Sequence, residues 1–575
     1  MKLVRRISAR GSMRVRGLLA ATLLATFVPL TPAGASPAMC ARTPSTGGDW
    51  TMGAHDLASS RRQDAEHLLG PDEAKRLAPV WSYNAEPKIK DPTPPPASLD
   101  ATPIVAAGCV YVATAQGDIE AVNADTGKLV WTRNVKVSGA AAIGGAFVGA
   151  PAYQSGVLYV LVNQLDKPYA MALKASSGAP IWRSAPLVPT SDYHHGYYTD
   201  ATPVVTRGVL IAGFSAAEGD AKGHGGFSLI DASSGRIMRT TYTIPKRAWG
   251  HGCPDTSPEG AADDTIFAGT PFPPDASCAG GGVWTTPAVD ASSGYAYMGT
   301  GNPFNKKGTG YPTTNAIVKV DIDRTRRTFG QIVAFYEGNI DQGPDTFGEA
   351  AFSASRPACY VAPDPAAAAE GLPSMLPPPF NGELVADPVQ QLNDPLTCGQ
   401  IDLDFGGPQL VSTPSGTLVG DLQKSGVYHL VDAATMGKKK VVQTTLAFGC
   451  DLCNGSSPAL DAKKGIVAAV AEATIRFDPA SGAAPTWATP RTDPVAHYEP
   501  VSIANGVVYL LGSDDSFAAL DESDGVPLFV RNVAEDGAGD GGAGSSGIAI
   551  ARHTVYVAAG NHLIAYRASR ATPIG

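Results

Sequence analysis

The amino-acid sequence predicts an all-β fold, an eight-bladed β-propeller that follows a cleaved signal peptide. One phrase recurs along the chain, in which a Pro-led strand, a short turn and a second β-rich strand lead to an Asp-x-x-Ser/Thr-Gly turn. The turn formers Gly and Pro number 64 and 47, whereas charged residues make up only 17% of the 575 residues. Such a composition is typical of many short strands joined by tight turns.

Residues 1–35 have the three parts of a signal peptide. A basic stretch with five arginines between Arg5 and Arg16 precedes the apolar run Leu18–Leu30, and Ala33-Gly34-Ala35 supplies a small-residue cleavage site. The apolar run is too short to span a bilayer comfortably, and no later apolar stretch reaches the length of a membrane helix. We therefore expect a mature protein that is secreted or periplasmic and has no stable membrane span.

Thr102–Trp131 is the clearest copy of the recurring phrase, with the sequence TPIVAAGCVYVATAQGDIEAVNADTGKLVW. A single unit of this kind cannot bury its own faces, and repeats of roughly 40–50 residues with about four strands indicate a propeller. Seven copies of the turn occur, at Asn123, Lys174, Asp231, Asp321, Asp432, Asp478 and Asp521.

The eighth blade is expected to combine both ends of the chain. The segment Asp49–Tyr83 ends in the strand-like LAPVWSY, and strands around Thr554–Tyr566 would close the ring with it. No separate domain or long linker is evident. Residues 36–575 are therefore predicted to form one propeller domain, with insertion loops around 247–283 and 340–400.

Eight cysteines are present, and an even number outside the cytoplasm favours disulfide pairing. We expect sequential pairs, which join Cys253 to Cys278, Cys359 to Cys398 and Cys450 to Cys453, and leave Cys40 for Cys109. The Cys450-Asp-Leu-Cys453 motif also fits a redox site, but Asn454 stands where a haem-attachment motif needs His. No haem is therefore expected.

The charge distribution and the missing motifs exclude other classes of function. The net charge is −9, and the mature part has no long run of Lys and Arg, which argues against nucleic acid as the main partner. Neither a G-x-S-x-G elbow nor an H-E-x-x-H motif occurs, so a hydrolase has little support.

Four short motifs carry the candidate chemistry. They are LIAGFSAAEGD (Leu210–Asp220), GGGVWTTPAVD with Trp284, GTGNP with Asn302, and Asp402-Leu-Asp404 followed by QKSG with Lys424. With the opening DWTMGAHDLASSRRQDAEHLLGPDEAKRLAPVWSY, they resemble in type and order the pyrroloquinoline-quinone (PQQ) dependent, or quinoprotein, dehydrogenases, which are eight-bladed propellers. DLDFGGPQLV and LQKSGVYHLVDAATMG are most similar to the polyvinyl-alcohol dehydrogenase branch.

The resemblance implies a cofactor site built from four residues. Trp284 would stack on the planar ortho-quinone, and Ser215 would bond one of the cofactor's carboxylates. Lys424 would lie beside the quinone and stabilise the oxygen that becomes negative during the reaction. Asp404 is expected as a further cofactor contact.

The resemblance also implies a metal site and a general base. Glu218, Asn302 and Asp402 would supply oxygen ligands to a hard cation, Ca²⁺ rather than a lanthanide, which polarises the quinone carbonyl. The family's base is the first Asp of the D-x-D motif, so Asp402 rather than Asp404 is expected to remove the alcohol proton. Alternation along the strand-like DLDF segment puts the two carboxylates on one face.

Two functions remain open from the sequence. The first is an extracytoplasmic PQQ-dependent alcohol dehydrogenase that oxidises a small or polymeric alcohol, such as a secondary alcohol or polyvinyl alcohol. Its electrons would pass to a separate acceptor such as a cytochrome c or a quinone. The second is a non-catalytic propeller that serves as a binding or envelope-assembly module.

The position of the site residues distinguishes the two functions. A dehydrogenase requires them to converge near the propeller axis, whereas in a binding module they would scatter or side chains would fill the axis. The order of the motifs favours the first function, whereas the missing cysteine pair leaves room for the second. Two departures from the family are visible. The chain has no adjacent cysteine pair, and Gly282 stands where some relatives offer a hydroxyl to the cofactor.

Overall fold

Eight β-sheets make up almost all of the regular structure among the described residues. In this computed structural model, the described residues are 40–41, 46–85, 98–135, 145–192, 196–216, 222–249, 278–302, 311–338, 404–424, 426–437, 441–446, 457–470, 473–479, 485–490, 500–512, 515–537 and 546–569. They belong to one compact unit, residues 38–575, and none of their helices is long and apolar enough to cross a membrane. The predicted signal peptide and most of both predicted insertion loops lie outside the described residues.

Blades 1 to 4 each contain four antiparallel strands, which follow one another along the chain. Blade 1 has Ile104–Ala106, Cys109–Ala113, Asp118–Asn123 and Leu129–Asn134; blade 2 has Ala152–Gln154, Val157–Val162, Tyr169–Lys174 and Pro180–Pro186. Blade 3 has Val204–Thr206, Val209–Phe214, Gly226–Asp231 and Ile237–Tyr242; blade 4 has Ala288–Asp290, Tyr295–Gly299, Ala316–Asp321 and Ile332–Glu337.

Blades 5 to 8 continue the same pattern. Blade 5 has Gln409–Thr413, Gly416–Gln423, Val427–Asp432 and Val441–Thr445; blade 6 has Ala459–Asp461, Gly465–Val470, Ala473–Phe477 and Trp487–Pro490. Blade 7 has Ser502–Ala504, Val507–Leu511, Ser516–Asp521 and Pro527–Asn532, and adds Arg62–Gln63 in parallel; blade 8 has Ile548–Ala551, Thr554–Ala559, His562–Ala568 and Leu77–Asn84. The short helices are Pro71–Ala74 and the 3-10 turns Lys246–Ala248 and Val533–Asp536.

The first strand of each blade lies nearest the centre of the ring. First strands of most neighbouring blades contact one another, including those of blades 8 and 1, so they surround a central axis. A second strand such as Val209–Phe214 is buried along its whole length, whereas the outer strand Leu129–Asn134 is partly exposed. The predicted eight-bladed propeller is therefore confirmed.

Both ends of the chain build blade 8, as predicted. The strand Leu77–Asn84 pairs antiparallel with His562–Ala568, with Tyr83 opposite Leu563. The connection between the third and fourth strands, which holds the Asp turn in the other blades, therefore does not exist in blade 8. This explains why the sequence contains seven copies of that turn rather than eight.

Each repeated turn directly follows the third strand of its blade. In blade 3, Asp231 ends the strand, and its Oδ1 accepts hydrogen bonds from the backbone N–H groups of Ser233 at 3.1 Å and Ser234 at 3.0 Å. Gly235 then takes a φ of +73°, which favours glycine. The Asp and the Gly of the recurring phrase therefore have separate local functions.

A tryptophan on the outer strand connects several blades to the next blade. Trp182 of blade 2 donates from Nε1 to the Ala232 carbonyl of blade 3 at 3.0 Å, and a Cβ on Gly235 would lie 2.5 Å from its ring. Trp131 packs in the same way on Gly178 of blade 2. The turn glycine therefore also allows the neighbouring indole to approach the backbone.

The segment 50–63, called the axial segment below, crosses the first strands of six blades. Trp50 exchanges two hydrogen bonds of 2.8 Å with Val105 of blade 1. Carbonyls of the segment then accept N–H groups from blades 2, 4, 5, 6 and 7, in the pairs Thr51–Tyr153, Leu57–Val289, Ala58–Leu410, Ser60–Leu460 and Arg61–Ile503. Because these partners lie on the innermost strands, the segment curls around the propeller axis.

One of the predicted disulfides lies among the described residues. Cys40 and Cys109 are bonded, which attaches the N-terminal region to the second strand of blade 1. Cys278 is also disulfide-bonded. The remaining cysteines, including the predicted partner Cys253, lie outside the described residues.

Acid is expected to destabilise the propeller through its turn aspartates. Hydrogen bonds from Ser233, then Ser234 and Arg324, lower the pKa of Asp231 below its ordinary value of 3.8. A carboxyl whose pKa falls on folding stabilises the native state above its unfolded-state pKa, and this contribution disappears as the pH falls through the folded-state pKa. Asp231→Asn should therefore lower the Tm at pH 7 but reduce the further decrease in Tm between pH 7 and pH 3. If circular dichroism shows the same decrease in Tm between pH 7 and pH 3 for the variant and for wild type, the Asp231 carboxylate does not cause the acid sensitivity.

Candidate cofactor site

A cavity of about 410 Å³ lies on the propeller axis. Its walls come from the segments that precede the first strands of blades 1 to 7, which only a central cavity can contact together. The lining residues are Gly53, Arg61, Asp100, Ala101, Thr102, Val148, Gly149, Ala150, Tyr198, Asp200, Thr202, Ser215, Gly282, Trp284, Thr285, Thr286, Gly301, Asn302, Asp404, Lys424, Ser457 and Pro500. Its volume lies within the range of small-molecule sites, about 300–1,000 Å³.

The cavity brings together residues that are far apart in the sequence. Five of the seven predicted site residues line it, namely Ser215, Trp284, Asn302, Asp404 and Lys424. The other two, Glu218 and Asp402, lie outside the described residues. The described members therefore converge at the axis, as a dehydrogenase requires.

Asp404 and Lys424 form a buried ion pair in the cavity wall. The Asp404 Oδ2 lies 3.3 Å from the Lys424 Nζ, and each residue is only 6% exposed. Asp404 Oδ1 also accepts the backbone N–H of Asn302. The structure thus presents a carboxylate and an ammonium side by side. The backbone N–H of Asn302, which belongs to blade 4, fixes the position of the carboxylate.

Strand pairing in blade 5 explains why these two side chains meet. Phe405 and Gln423 form a β-bridge, so their neighbours Asp404 and Lys424 lie beside each other. The Lys424 N–H donates to the Asp404 carbonyl at 2.9 Å. The sequence separates the two residues by a whole hairpin, and only the closed blade makes them adjacent.

Trp284 supplies an aromatic wall to the cavity. The Lys424 Nζ lies 5.5 Å from the centre of its ring, within the range of a cation–π interaction. The next residue, Thr285, donates from its hydroxyl to the Gly406 carbonyl at 2.6 Å, which connects the Trp284 segment to blade 5. The arrangement offers a flat aromatic ring with a cation over it.

Ser215 lies against Gly282, the position that lacks the hydroxyl expected from the family pattern. The Ser215 backbone forms a bridge with Tyr198, with hydrogen bonds of 3.0 and 3.1 Å. A Cβ on Gly282 would lie 2.3 Å from the Ser215 Oγ. Gly282 is therefore needed for the Ser215 hydroxyl to reach this part of the cavity, and a hydroxyl-bearing residue at 282 would collide with it.

Sequence reasoning missed Arg61, which the axial segment brings to the cavity. The side chain is 3% exposed and donates to the carbonyls of Val501 and Gly53 at 2.8 Å, and to the Ser502 hydroxyl at 3.4 Å. Burial lowers the pKa of its guanidinium to about 9. In the sequence, Arg61 stands in SSRRQ, which has the composition of an exposed basic turn, so no local signal identifies it.

A metal site is not formed by the described acidic residues alone. Within the described ranges, no three His, Cys, Asp or Glu side chains cluster closely enough to hold a metal ion. Asn302 and Asp404 line the cavity as oxygen donors, and the two predicted carboxylate ligands are the ones outside those ranges.

Comparison with known proteins gives a consistent family. The family described as PQQ, glucose/ethanol/alcohol dehydrogenase, β-propeller domain, matches residues 50–316. The dehydrogenase subunit of an alcohol dehydrogenase (quinone) from Gluconobacter oxydans (strain 621H) is 26% identical over 274 residues, which are 45% of this chain and 33% of that protein. Polyvinylalcohol dehydrogenase from Pseudomonas sp is 22% identical over 311 residues, 50% of this chain and 41% of that protein.

Solved structures agree at the level of the fold. Quinohemoprotein alcohol dehydrogenase from Comamonas testosteroni superposes with a TM-score of 0.60 at 15% identity, and covers 93% of this chain and 82% of that one. The sequence matches span only about a third to two fifths of the curated relatives' own length. Over residues 50–316 the chain is therefore similar to the PQQ-dependent, or quinoprotein, dehydrogenases, and its fold is that of a solved quinohemoprotein propeller.

Proposed function

We propose that this protein is a PQQ-dependent alcohol dehydrogenase that acts outside the cytoplasm. The observation that carries the proposal is the convergence of Ser215, Trp284, Asn302, Asp404 and Lys424 on one axial cavity. A non-catalytic propeller has no need to collect an aromatic face, a carboxylate and a cation there. Relatives named as quinone-dependent alcohol dehydrogenases support the same activity.

The residues present fit a planar, polyanionic cofactor. Trp284 offers a flat ring, Lys424 contributes positive charge 5.5 Å from the centre of that ring, and the Ser215 hydroxyl has room because Gly282 carries no side chain. Ser215 and Lys424 would then bond oxygens of the cofactor, with Asp404 in contact beside them. Glu218, Asn302 and Asp402 would hold a Ca²⁺ ion through oxygen ligands.

When bound, PQQ supplies a two-electron acceptor and Ca²⁺ supplies a Lewis acid, while the chain orients the alcohol and moves its proton. We assign the proton-accepting role to a carboxylate of the D-x-D motif. Asp404 lines the cavity and lies 3.3 Å from the Lys424 ammonium. Asp402, which the family pattern favours, is the other candidate.

The proposed substrate is a secondary alcohol or a polyol such as polyvinyl alcohol. It rests on the motif similarity around Asp402 and Lys424 and on a relative named polyvinylalcohol dehydrogenase. The electrons would pass to a separate acceptor, a cytochrome c or a quinone. A relative named 1-butanol dehydrogenase (cytochrome c) supports an acceptor of the first kind.

Reconstitution of the purified mature protein with PQQ and Ca²⁺ tests the proposal. We expect PQQ to bind and dye reduction to follow with at least one member of a panel of primary alcohols, secondary alcohols and polyvinyl alcohol. Trp284→Ala should weaken PQQ binding roughly tenfold or more, because the aromatic face is lost. If micromolar PQQ does not bind with Ca²⁺ or with a lanthanide ion, the dehydrogenase proposal fails and a binding module becomes the better hypothesis.

A further inference from the structure

Arg61 is a buried positive charge in the cavity wall, and none of the described carboxylates forms an ion pair with it. Among the residues that the structure describes, no Asp or Glu oxygen lies within ion-pair distance of its guanidinium. Buried charges are normally paired, since removing an ion from water is costly. Within the described part of the chain, the guanidinium therefore has no counter-charge of the kind that its burial calls for.

Its hydrogen bonds leave part of the guanidinium available. Of the five N–H groups of an arginine, Arg61 uses one on Nε for Val501, one on NH1 for Gly53 and one on NH2 for the Ser502 hydroxyl. One N–H on each terminal nitrogen therefore remains. Two N–H groups suit the two oxygens of a carboxylate. A guanidinium also binds a carboxylate more strongly than a neutral donor does.

We propose that Arg61 forms an anion subsite in the wall of the cavity and receives a carboxylate of the molecule bound there. This inference deepens the proposed function, and it rests on that function only where the carboxylate belongs to PQQ. A carboxylate on the alcohol substrate is the other source. In both cases the three existing hydrogen bonds orient the side chain before the ligand arrives.

Occupation of this subsite should also stabilise the closed ring. The Arg61 carbonyl accepts the N–H of Ile503 in blade 7 at 3.0 Å, while its side chain reaches Val501 and Gly53. A carboxylate on the guanidinium would neutralise the charge at this junction of the axial segment and blade 7. Anion binding is therefore expected to raise the Tm through Arg61.

The test compares Arg61→Gln and Arg61→Lys with wild type, and uses Arg552→Gln as the matched control. Arg552 is also buried but pairs with Asp125 at 3.2 Å and does not line the cavity. The probes are PQQ with Ca²⁺, the planar dicarboxylate pyridine-2,6-dicarboxylate, and phenanthrenequinone, which is an ortho-quinone without carboxylates. Affinity is measured by absorbance titration, and Tm is measured with and without each probe.

Arg61→Gln should weaken PQQ and dicarboxylate binding roughly 10- to 100-fold and abolish the rise in Tm that they cause. Phenanthrenequinone affinity should stay unchanged, and Arg61→Lys should fall between wild type and Arg61→Gln. If PQQ affinity is unaltered but the KM of a hydroxy acid rises while that of a neutral alcohol does not, the carboxylate comes from the substrate.

The inference is overturned if both Arg61 variants keep wild-type affinity for every carboxylate, or if Arg552→Gln reproduces their effect. Failure of the proposed function has a different signature. In that case wild type does not bind PQQ, yet the dicarboxylate still binds through Arg61. Wild-type protein that binds neither compound contradicts both proposals.

Discussion

Asp404→Asn is expected to lower kcat by roughly 10²- to 10⁴-fold, the usual contribution of a general base. The amide keeps the size of the side chain, and its oxygen can still accept the Asn302 N–H, but it cannot accept the alcohol proton. PQQ affinity should change far less than kcat, since Trp284 and Ser215 remain in place. Single-turnover cofactor reduction, together with a PQQ titration, measures the two effects separately.

Asp402→Asn is the comparison that decides between the two carboxylates. A role as metal ligand predicts a rise in the Ca²⁺ concentration needed for activity, and excess Ca²⁺ should restore much of the rate. A role as proton acceptor predicts a loss that Ca²⁺ does not restore. If Asp402→Asn shows the larger, unrescued loss and Asp404→Asn keeps near wild-type turnover, Asp402 is the proton acceptor, as the family pattern implies, and Asp404 is not.

A control variant separates catalysis from a general loss of charge. Asp231→Asn removes a carboxylate from a turn of blade 3 that does not line the cavity. Its turnover at pH 7 should match that of wild type. Lys424→Met should also reduce kcat, because the cation beside the quinone is lost and Asp404 is left without its ion pair.

Trp182→Ala is expected to destabilise the propeller by about 3 kcal/mol, near the lower end of the range for truncating a large aromatic side chain. The variant loses the hydrogen bond to Ala232 and the packing of the indole on Gly235 of the next blade. Thermal unfolding followed by circular dichroism measures the decrease in Tm. Gly235→Ala should act in the same direction, because its Cβ would overlap the indole and its φ is positive.

Two further variants test the cause of this loss. Trp182→Phe keeps an aromatic ring but lacks the N–H donor, so it should destabilise less than Trp182→Ala. Ile181→Ala changes the neighbouring residue on the same strand, which is 44% exposed, and should stay within about 0.5 kcal/mol of wild type. If Ile181→Ala lowers the free energy of unfolding as much as Trp182→Ala does, the loss comes from any change in this strand and not from the contact of Trp182 with the next blade.

The architecture was predictable because it repeats. Alternating apolar residues and the Asp-x-x-Ser/Thr-Gly turn act within one blade, so each copy is a local signal that the next copy reinforces. Asp231 and Gly235 illustrate this, since each satisfies a requirement of its own turn. The closing strand was also predictable, because Leu77–Asn84 has the same strand pattern as the complete blades.

The sequence also identified most of the candidate site, although for a different reason. Trp284, Asn302 and Lys424 stand in short motifs whose residue types match a known chemistry, and the structure brings them to one cavity. The sequence predicted that Asp404 and Lys424 both contact the cofactor, but it did not indicate that they would form an ion pair with each other. That contact depends on the register of the Phe405–Gln423 bridge, which no local pattern encodes.

The sequence by itself determined the number of blades, the closing strand, the Cys40–Cys109 disulfide and the residue types of the site. Only the tertiary structure placed Arg61 in the cavity and explained Gly282. Both depend on contacts between segments that are distant in the chain, since Arg61 donates to the Val501 carbonyl and Gly282 lies against Ser215. Local sequence specifies turns and strands, whereas the burial of a charge or the room for a side chain exists only after the ring has closed.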